Sequence, residues 1–204
     1  MKITDLRVYL VKPEKNSRTW IFVEIDTDEN ITGVGECTNS GGGGAIVVAQ
    51  AIKVLKNTLE GQDFSDGLIG QDPNEIDRIW HQIYRRFTTL GSRGFATTLS
   101  SGIDMALWDI KGKMLNKPVY DLLGGAMRDK VPVYSHISPA NDIKKCIEDA
   151  KRQISLGYEA LKLDPFSPEM QKSHRRYIDG KISSAGANHA EDLMSELRSS
   201  LGND

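Results

Sequence analysis

Lys162 and Asp164 stand two apart in Ala160-Leu161-Lys162-Leu163-Asp164-Pro165-Phe166, and His136 closes the earlier run Val131-Pro132-Val133-Tyr134-Ser135-His136-Ile137. Residues two apart on a strand share a face. An ammonium and a carboxylate would therefore emerge together. Such a carboxylate can hydrogen-bond substrate hydroxyls or hold the lysine, and a strand-end histidine can face a cleft. The plainer readings are a solvated or salt-bridged lysine and a packed histidine. A second candidate is Thr38-Asn39-Ser40 followed by Gly41 to Gly44. Four glycines permit mobility and close backbone approach, which suits a substrate lid and a simple connector equally. As a phosphate cradle the run is weak, because it lacks a Gly-Lys-Ser/Thr ending. Asp104, Asp109 and Glu36 invite a metal reading. The two aspartates, however, face different directions on one helix, so pairing with Lys111 or Lys113 fits better. His81, His174 and His189 show no ligand spacing, and His81 falls on the polar side of its helix.

The elements that must position these residues fall into two groups. Leu6, Val8 and Leu10 alternate with polar neighbours, and Ile21, Val23 and Ile25 repeat that pattern before the turn residues Asp28-Glu29-Asn30. Ile31-Thr32-Gly33-Val34-Gly35-Glu36 follows, so a three-stranded antiparallel meander is expected. Helices come next. Val48, Ile52, Leu55 and Leu59 lie at helical spacing. Asp72-Pro73-Asn74-Glu75 reads as an N-terminal capping signature with Asp at the cap and Glu at the third position. The stripe Ile76, Ile79, Trp80, Ile83, Phe87 predicts an amphipathic helix. A third helix carries Leu99, Ile103, Ala106, Leu107, Ile110 and Met114, and Leu122-Leu123-Gly124-Gly125 marks a short turn with a glycine stop. Strands first and helices after imply a sheet with a helical bundle on one face.

From Val131 the grammar changes. A strand over 131–137 precedes a helix capped by Asn141-Asp142, with Ile143, Cys146, Ile147, Ala150 and Ile154 on one face and Gly157 at its end. Residues 158–164 read as a second strand. A helix between two strands is the crossover of a parallel unit. Ser167 to Asn188 is polar and reads as a lid or an unordered connector, and a last helix carries Leu193, Leu197 and Leu201. The division expected is residues 1–126 and 127–204.

Composition narrows the partners. Lys plus Arg number 26 against 28 for Asp plus Glu, with no basic cluster interleaved with aromatics, which excludes nucleic acid as a partner. No run reaches membrane-spanning length and Met1-Lys2-Ile3-Thr4-Asp5 lacks a signal-peptide core. Cys37 and Cys146 match no metal or redox spacing and read as reduced, packed thiols of a cytoplasmic protein.

Ser101-Gly102-Ile103-Asp104-Met105-Ala106-Leu107-Trp108-Asp109-Ile110-Lys111-Gly112-Lys113, with Pro118-Val119-Tyr120-Asp121-Leu122-Leu123-Gly124-Gly125, resembles the mandelate racemase/muconate lactonizing branch of the enolase superfamily. Gly33-Val34-Gly35-Glu36 resembles its third cap strand, Val131-Pro132-Val133-Tyr134 its first barrel strand, and Ala160 to Phe166 its second. The Lys-x-Asp-Pro-Phe ending is most similar to gluconate/galactonate-type sugar-acid dehydratases.

The resemblance implies an α+β capping domain followed by the first two βα units of a truncated, modified TIM barrel. It also implies proton abstraction α to a carboxylate, with Mg²⁺ stabilising the enediolate, then loss of a β-hydroxyl. Lys162 matches the first lysine of the family's Lys-x-Lys motif, where an ammonium can meet the substrate carboxylate. Asp164 replaces the second lysine, which removes that base. Thr38 and Asn39 fall in the cap loop that closes over substrate, and His136 at the barrel mouth. The family's metal carboxylates lie on the third to fifth barrel strands. A complete barrel takes about 250 residues, more than the 204 of this chain. The chain reads as an N-terminal fragment or truncated product that binds no metal by itself. Its partners would be a sugar acid in the intact enzyme and a second copy or a complementing C-terminal fragment. The alternatives are a non-catalytic interaction module, half of a split enzyme, or a racemase/cycloisomerase of the same superfamily.

Overall fold

The computed structural model describes residues 1–12, 19–37, 43–56, 67–91, 93–138, 140–166 and 182–202. Two compact units divide the chain, Met1–Met127 and Arg128–Asp204.

In the first unit, β1 (Ile3–Val11), β2 (Trp20–Thr27) and β3 (Thr32–Cys37) form an antiparallel sheet in sequence order. Alternation decides which side is wet. Ile3, Leu6, Ile21, Val23, Ile25 and Cys37 are buried on the face that meets the helices. Those helices are α1 (Gly44–Lys56), α2 (Ile76–Arg86), α3 (Phe95–Leu115) and the short α4 (Val119–Leu122), with a 3₁₀ turn at Thr88–Leu90. Leu99, Ile103, Ala106, Leu107 and Ile110 of α3 complete the core.

The approach of α3 to β3 is unusually close because both surfaces lack side chains there. A Cβ on Gly35 would collide with the Gly102 carbonyl oxygen, and one on Gly33 with that of Ala106. Gly102 in turn faces the Cys37 sulfur. Burial pushes the Cys37 thiol up to about 11. Helix side chains then hold the strand's free edge. Asp109 Oδ2 accepts the Val34 N–H at 2.9 Å, while Lys113 Nζ donates to Asp109 Oδ2 and to the Thr32 carbonyl, both at 2.7 Å. This is the pairing expected for Asp109. Asp104 points elsewhere, half-buried, and burial raises its carboxyl with a further push from Asp77.

The solvent face of the sheet carries one arginine among three carboxylates. Arg7 bonds Asp26 and Asp5 through Nη1, and Glu24 at 2.9 Å through Nη2. Lys56 also reaches Asp5. Arg7 holds Asp26 below the ordinary carboxylate range, and Lys56 does the same for Asp5, assisted by Arg7. A depressed folded pKa stabilises above the unfolded value of about 3.9, and that contribution is lost as pH falls through the folded value. Arg7→Gln is therefore expected to flatten the loss of stability below about pH 4, read from urea midpoints along an acid titration. A midpoint that falls as steeply in the variant as in the wild type would exclude Asp26 as a source.

Helix boundaries differ from the sequence reading at two places. Asp72 does not cap α2. Its Oδ1 accepts the Asn74 N–H at 2.9 Å, forming a separate turn, and α2 starts at Ile76 with Glu75 as its cap residue. Proline's ring sets that turn as readily as a first helical position. Trp80, expected in the apolar stripe, is exposed and stacks on Tyr84 at 5.2 Å.

The second unit is β4 (Ser135–His136), α5 (Ile143–Ser155), β5 (Leu161–Lys162) and a final helix, α6 (Ser184–Leu201). Asp142 caps α5 by accepting the Lys145 N–H at 3.2 Å, and Gly157 follows that helix at φ +95°. Both strands are shorter than their apolar runs, since each is bonded only where it meets the other. Ile154, placed on the apolar face of α5 by its spacing, is exposed, and Gln153 is buried instead. The polar stretch expected to run to Asn188 ends earlier: α6 begins at Ser184, with Ser183 Oγ accepting the Gly186 N–H at 3.1 Å. Ile137, Ala140, Cys146, Ala150, Leu193 and Leu197 form a small separate core.

Candidate functional site

The parallel pair β4–β5 sets Ser135 against Leu161 and His136 against Lys162. The Ser135 N–H donates to the Ala160 carbonyl at 3.0 Å and the Ile137 N–H to that of Lys162 at 2.9 Å. Alternation then sorts the side chains. Ile137, Leu161 and Leu163 face the helices and join their core. Tyr134, His136, Lys162 and Asp164 share the opposite, open side, and all four are exposed.

A polar strut fixes the helix-facing side. Ser135 Oγ donates to Gln153 Oε1 at 2.9 Å, and Gln153 Nε2 donates to Asp149 Oδ1 at 3.2 Å. Asp149 Oδ2 accepts the Ser138 N–H at 3.0 Å. That N–H, with help from Arg152 and Gln153, holds the Asp149 carboxyl below its usual range. From α6, His189 Nε2 reaches the Ala140 carbonyl at 2.8 Å. The segment carrying Tyr134 and His136 is thus tied to α5 by the Ser135 side chain and by the Ser138 backbone N–H.

On the open side two of the predicted residues, His136 and Lys162, come together as neighbours in register. Asp164 lies two residues on, but its Oδ1 accepts the Phe166 N–H at 2.9 Å and closes the turn at Pro165. Among the described residues no carboxylate lies within ion-pair distance of Lys162. Instead its Nζ sits over the Tyr134 ring, 5.7 Å from the centroid, and that ring tilts against His136 at 5.8 Å. Sequence reasoning passed over Tyr134, which read as one more apolar strand residue. The available signal was its place two before His136. Thr38 and Asn39 lie outside the described residues.

This side can present positive charge and an aromatic face to an anion. It does not fit Mg²⁺, which takes six oxygen ligands in near-octahedral geometry, because Asp164 is the one carboxylate among the four. Among the described residues no group of three or more His, Cys, Asp or Glu is placed to hold a metal ion. Nor is any described helix long and apolar enough to cross a membrane.

A three-stranded antiparallel sheet backed by helices, followed by a parallel strand–helix–strand–helix segment, is the architecture of an enolase-type cap with the opening of its barrel. The signature of the mandelate racemase / muconate lactonizing enzyme N-terminal domain matches residues 10–124, and the chain belongs to that family. It is 34% identical over 203 residues to a D-galactonate dehydratase of Pectobacterium atrosepticum, covering 100% of this chain and 46% of that protein. With a D-galactonate dehydratase of Variovorax paradoxus it shares 36% over 192 residues, 92% of this chain and 44% of the relative. The crystal structure of the 3,6-anhydro-D-galactonate cycloisomerase from Zobellia galactanivorans superposes with a TM-score of 0.76 at 25% identity, covering 99% of this chain and 48% of that one. The chain spans about half the length of the relatives it matches.

Proposed function

We propose that this chain supplies the N-terminal part of a Mg²⁺-dependent acid-sugar dehydratase, with Lys162 as the anchor for the substrate carboxylate. The observation carrying this reading is the register of His136 beside Lys162 on the open side of the first parallel strand pair, in a chain whose matched relatives include two D-galactonate dehydratases. The reaction removes the proton α to a carboxylate and expels the β-hydroxyl as water, and the resulting enol becomes a 2-keto-3-deoxy acid. An ammonium at the carboxylate favours the enediolate because its negative charge grows there. His136 borders the same anion, and Asp164 holds the turn that ends the strand. Two unpaired, buried thiols, Cys37 and Cys146, suit a reducing cytoplasm.

Mg²⁺ would neutralise enediolate charge in the intact enzyme, but the four open-side residues do not make its site. The isolated 204-residue chain is therefore expected to be catalytically silent. Aldonic acids including D-galactonate, offered with Mg²⁺, should yield no 2-keto acid, and calorimetry should show no saturable Mg²⁺ binding. Turnover by this polypeptide alone would overturn the reading. The panel should include cycloisomerase and racemase substrates, since a cycloisomerase shares the fold.

A second reading is an interaction module or one half of a split enzyme. Val131, Val133, Leu156 and Met194 of the second unit are each exposed, and a partner chain would cover such side chains. A monodisperse monomer on sizing chromatography that captures no complementary barrel segment would set it aside.

A further inference from the structure

We propose that Tyr134 is a positioning residue that holds the Lys162 ammonium over its ring and leaves the full charge available to an incoming carboxylate. The inference rests on the reading of Lys162 as a carboxylate anchor, and it explains how so flexible a side chain can act as one. Lysine's stem has several freely rotating bonds, so a bare strand-end ammonium samples many positions. The usual restraint is an acidic partner, but a carboxylate also neutralises the charge it holds. Asp164 is the obvious candidate on the same side of the sheet. Its Oδ1 is instead committed to the Phe166 N–H.

The aromatic ring offers a different restraint. Its face attracts a cation within about 6 Å through the ring quadrupole without taking or sharing its charge, and Lys162 Nζ lies 5.7 Å from the Tyr134 centroid. The ring is set in turn. Its contact with His136 is 5.8 Å between centroids at 48°, and the next residue, Ser135, is pinned to Gln153 on the far side of the strand. Tyr134 remains 53% exposed, so the ring backs the ammonium on one side only.

Reductive methylation with ¹³C-formaldehyde keeps the lysine charge and gives each lysine of the chain an NMR reporter. The Lys162 signal is identified by its loss in Lys162→Arg. It is expected upfield of the solvent-exposed lysines in the wild type, displaced by the Tyr134 ring current, as Lys111 is by the Trp108 ring at 5.1 Å. Tyr134→Phe should keep the displacement, because the ring and not the hydroxyl creates it. Tyr134→Leu should return the signal to the solvent-exposed position while the Ile137 amide, bonded to the Lys162 carbonyl, stays protected from exchange. A Lys162 signal among the exposed lysines in the wild type would overturn the proposal even if the leucine variant fails to fold. So would an upfield signal unmoved by Tyr134→Leu. Titration with D-galactonate is read separately. A displaced signal that ignores galactonate supports the positioning role of Tyr134 and removes the carboxylate anchor; one that moves supports both.

Discussion

Gly35→Ala is expected to destabilise the first unit strongly. The new methyl would fall on the Gly102 carbonyl oxygen and crowd its carbon and the Ala106 nitrogen, all backbone atoms of a 21-residue helix. A side chain could rotate away, but a helix backbone can only retreat as a body. Retreat would open the packing of Leu99, Ile103 and Ala106 against β2 and β3. Overpacking of a core typically costs about 1–3 kcal/mol, and a rigid collision with backbone belongs at or beyond the top of that range. The measurement is urea unfolding followed by tryptophan fluorescence, with Gly43→Ala as control, since a Cβ at Gly43 meets nothing within 4 Å. If both variants unfold at the wild-type midpoint, the close approach of α3 to β3 is not a constraint on the fold.

Leu193→Ala is expected to disorder the second unit while sparing the first. Leu193 is fully buried, and among the described residues six buried apolar side chains make up that core. Leu→Ala at such a site costs about 3–5 kcal/mol. At roughly 0.05–0.15 kcal/mol per residue, a unit of this size holds about 4–12 kcal/mol, so the loss takes a large share of it. Native-state hydrogen exchange distinguishes the units. The Ser135 and Ile137 amides, bonded across β4–β5, should lose protection. The Leu68 amide, bonded to the Leu55 carbonyl, should keep it. Retained protection at Ile137 would mean that the strand pair does not depend on α6.

The meander was legible because its alternation is clean and turn residues separate its strands, and α3 because its apolar stripe is long. Elements failed where two local structures share one signature. Asp72-Pro73 suits a helix start and a turn alike, and Asn74 settles it by bonding back to Asp72 through both its backbone and its side-chain nitrogen. The start of α6 was hidden because Ser184 to Asn188 shows no apolar stripe and relies on Ser183 for its cap. Strand lengths in the second unit failed for another reason. A parallel strand is defined by its neighbours, and an apolar run shows where pairing can occur, not where it does. The site was half legible. Lys162, Asp164 and His136 could be placed on strand ends, but the register that joins His136 to Lys162 depends on how α5 lays one strand beside the other. Tyr134 had no polar flag and became visible only when that register brought Lys162 over its ring.

The bonds from Asp109 and Lys113 to β3 have a consequence beyond helix docking. In an antiparallel sheet the last strand points alternate N–H and C=O groups outward, a template on which any extended polypeptide can add itself. Here two of those rungs, the Val34 N–H and the Thr32 carbonyl, are already filled by side chains of α3. At the opposite border the Ile3 N–H and carbonyl are taken by Gln71 and Gly70. The cap sheet is blunted at both ends, so crowding in a cell should not readily zip one copy to the next through it.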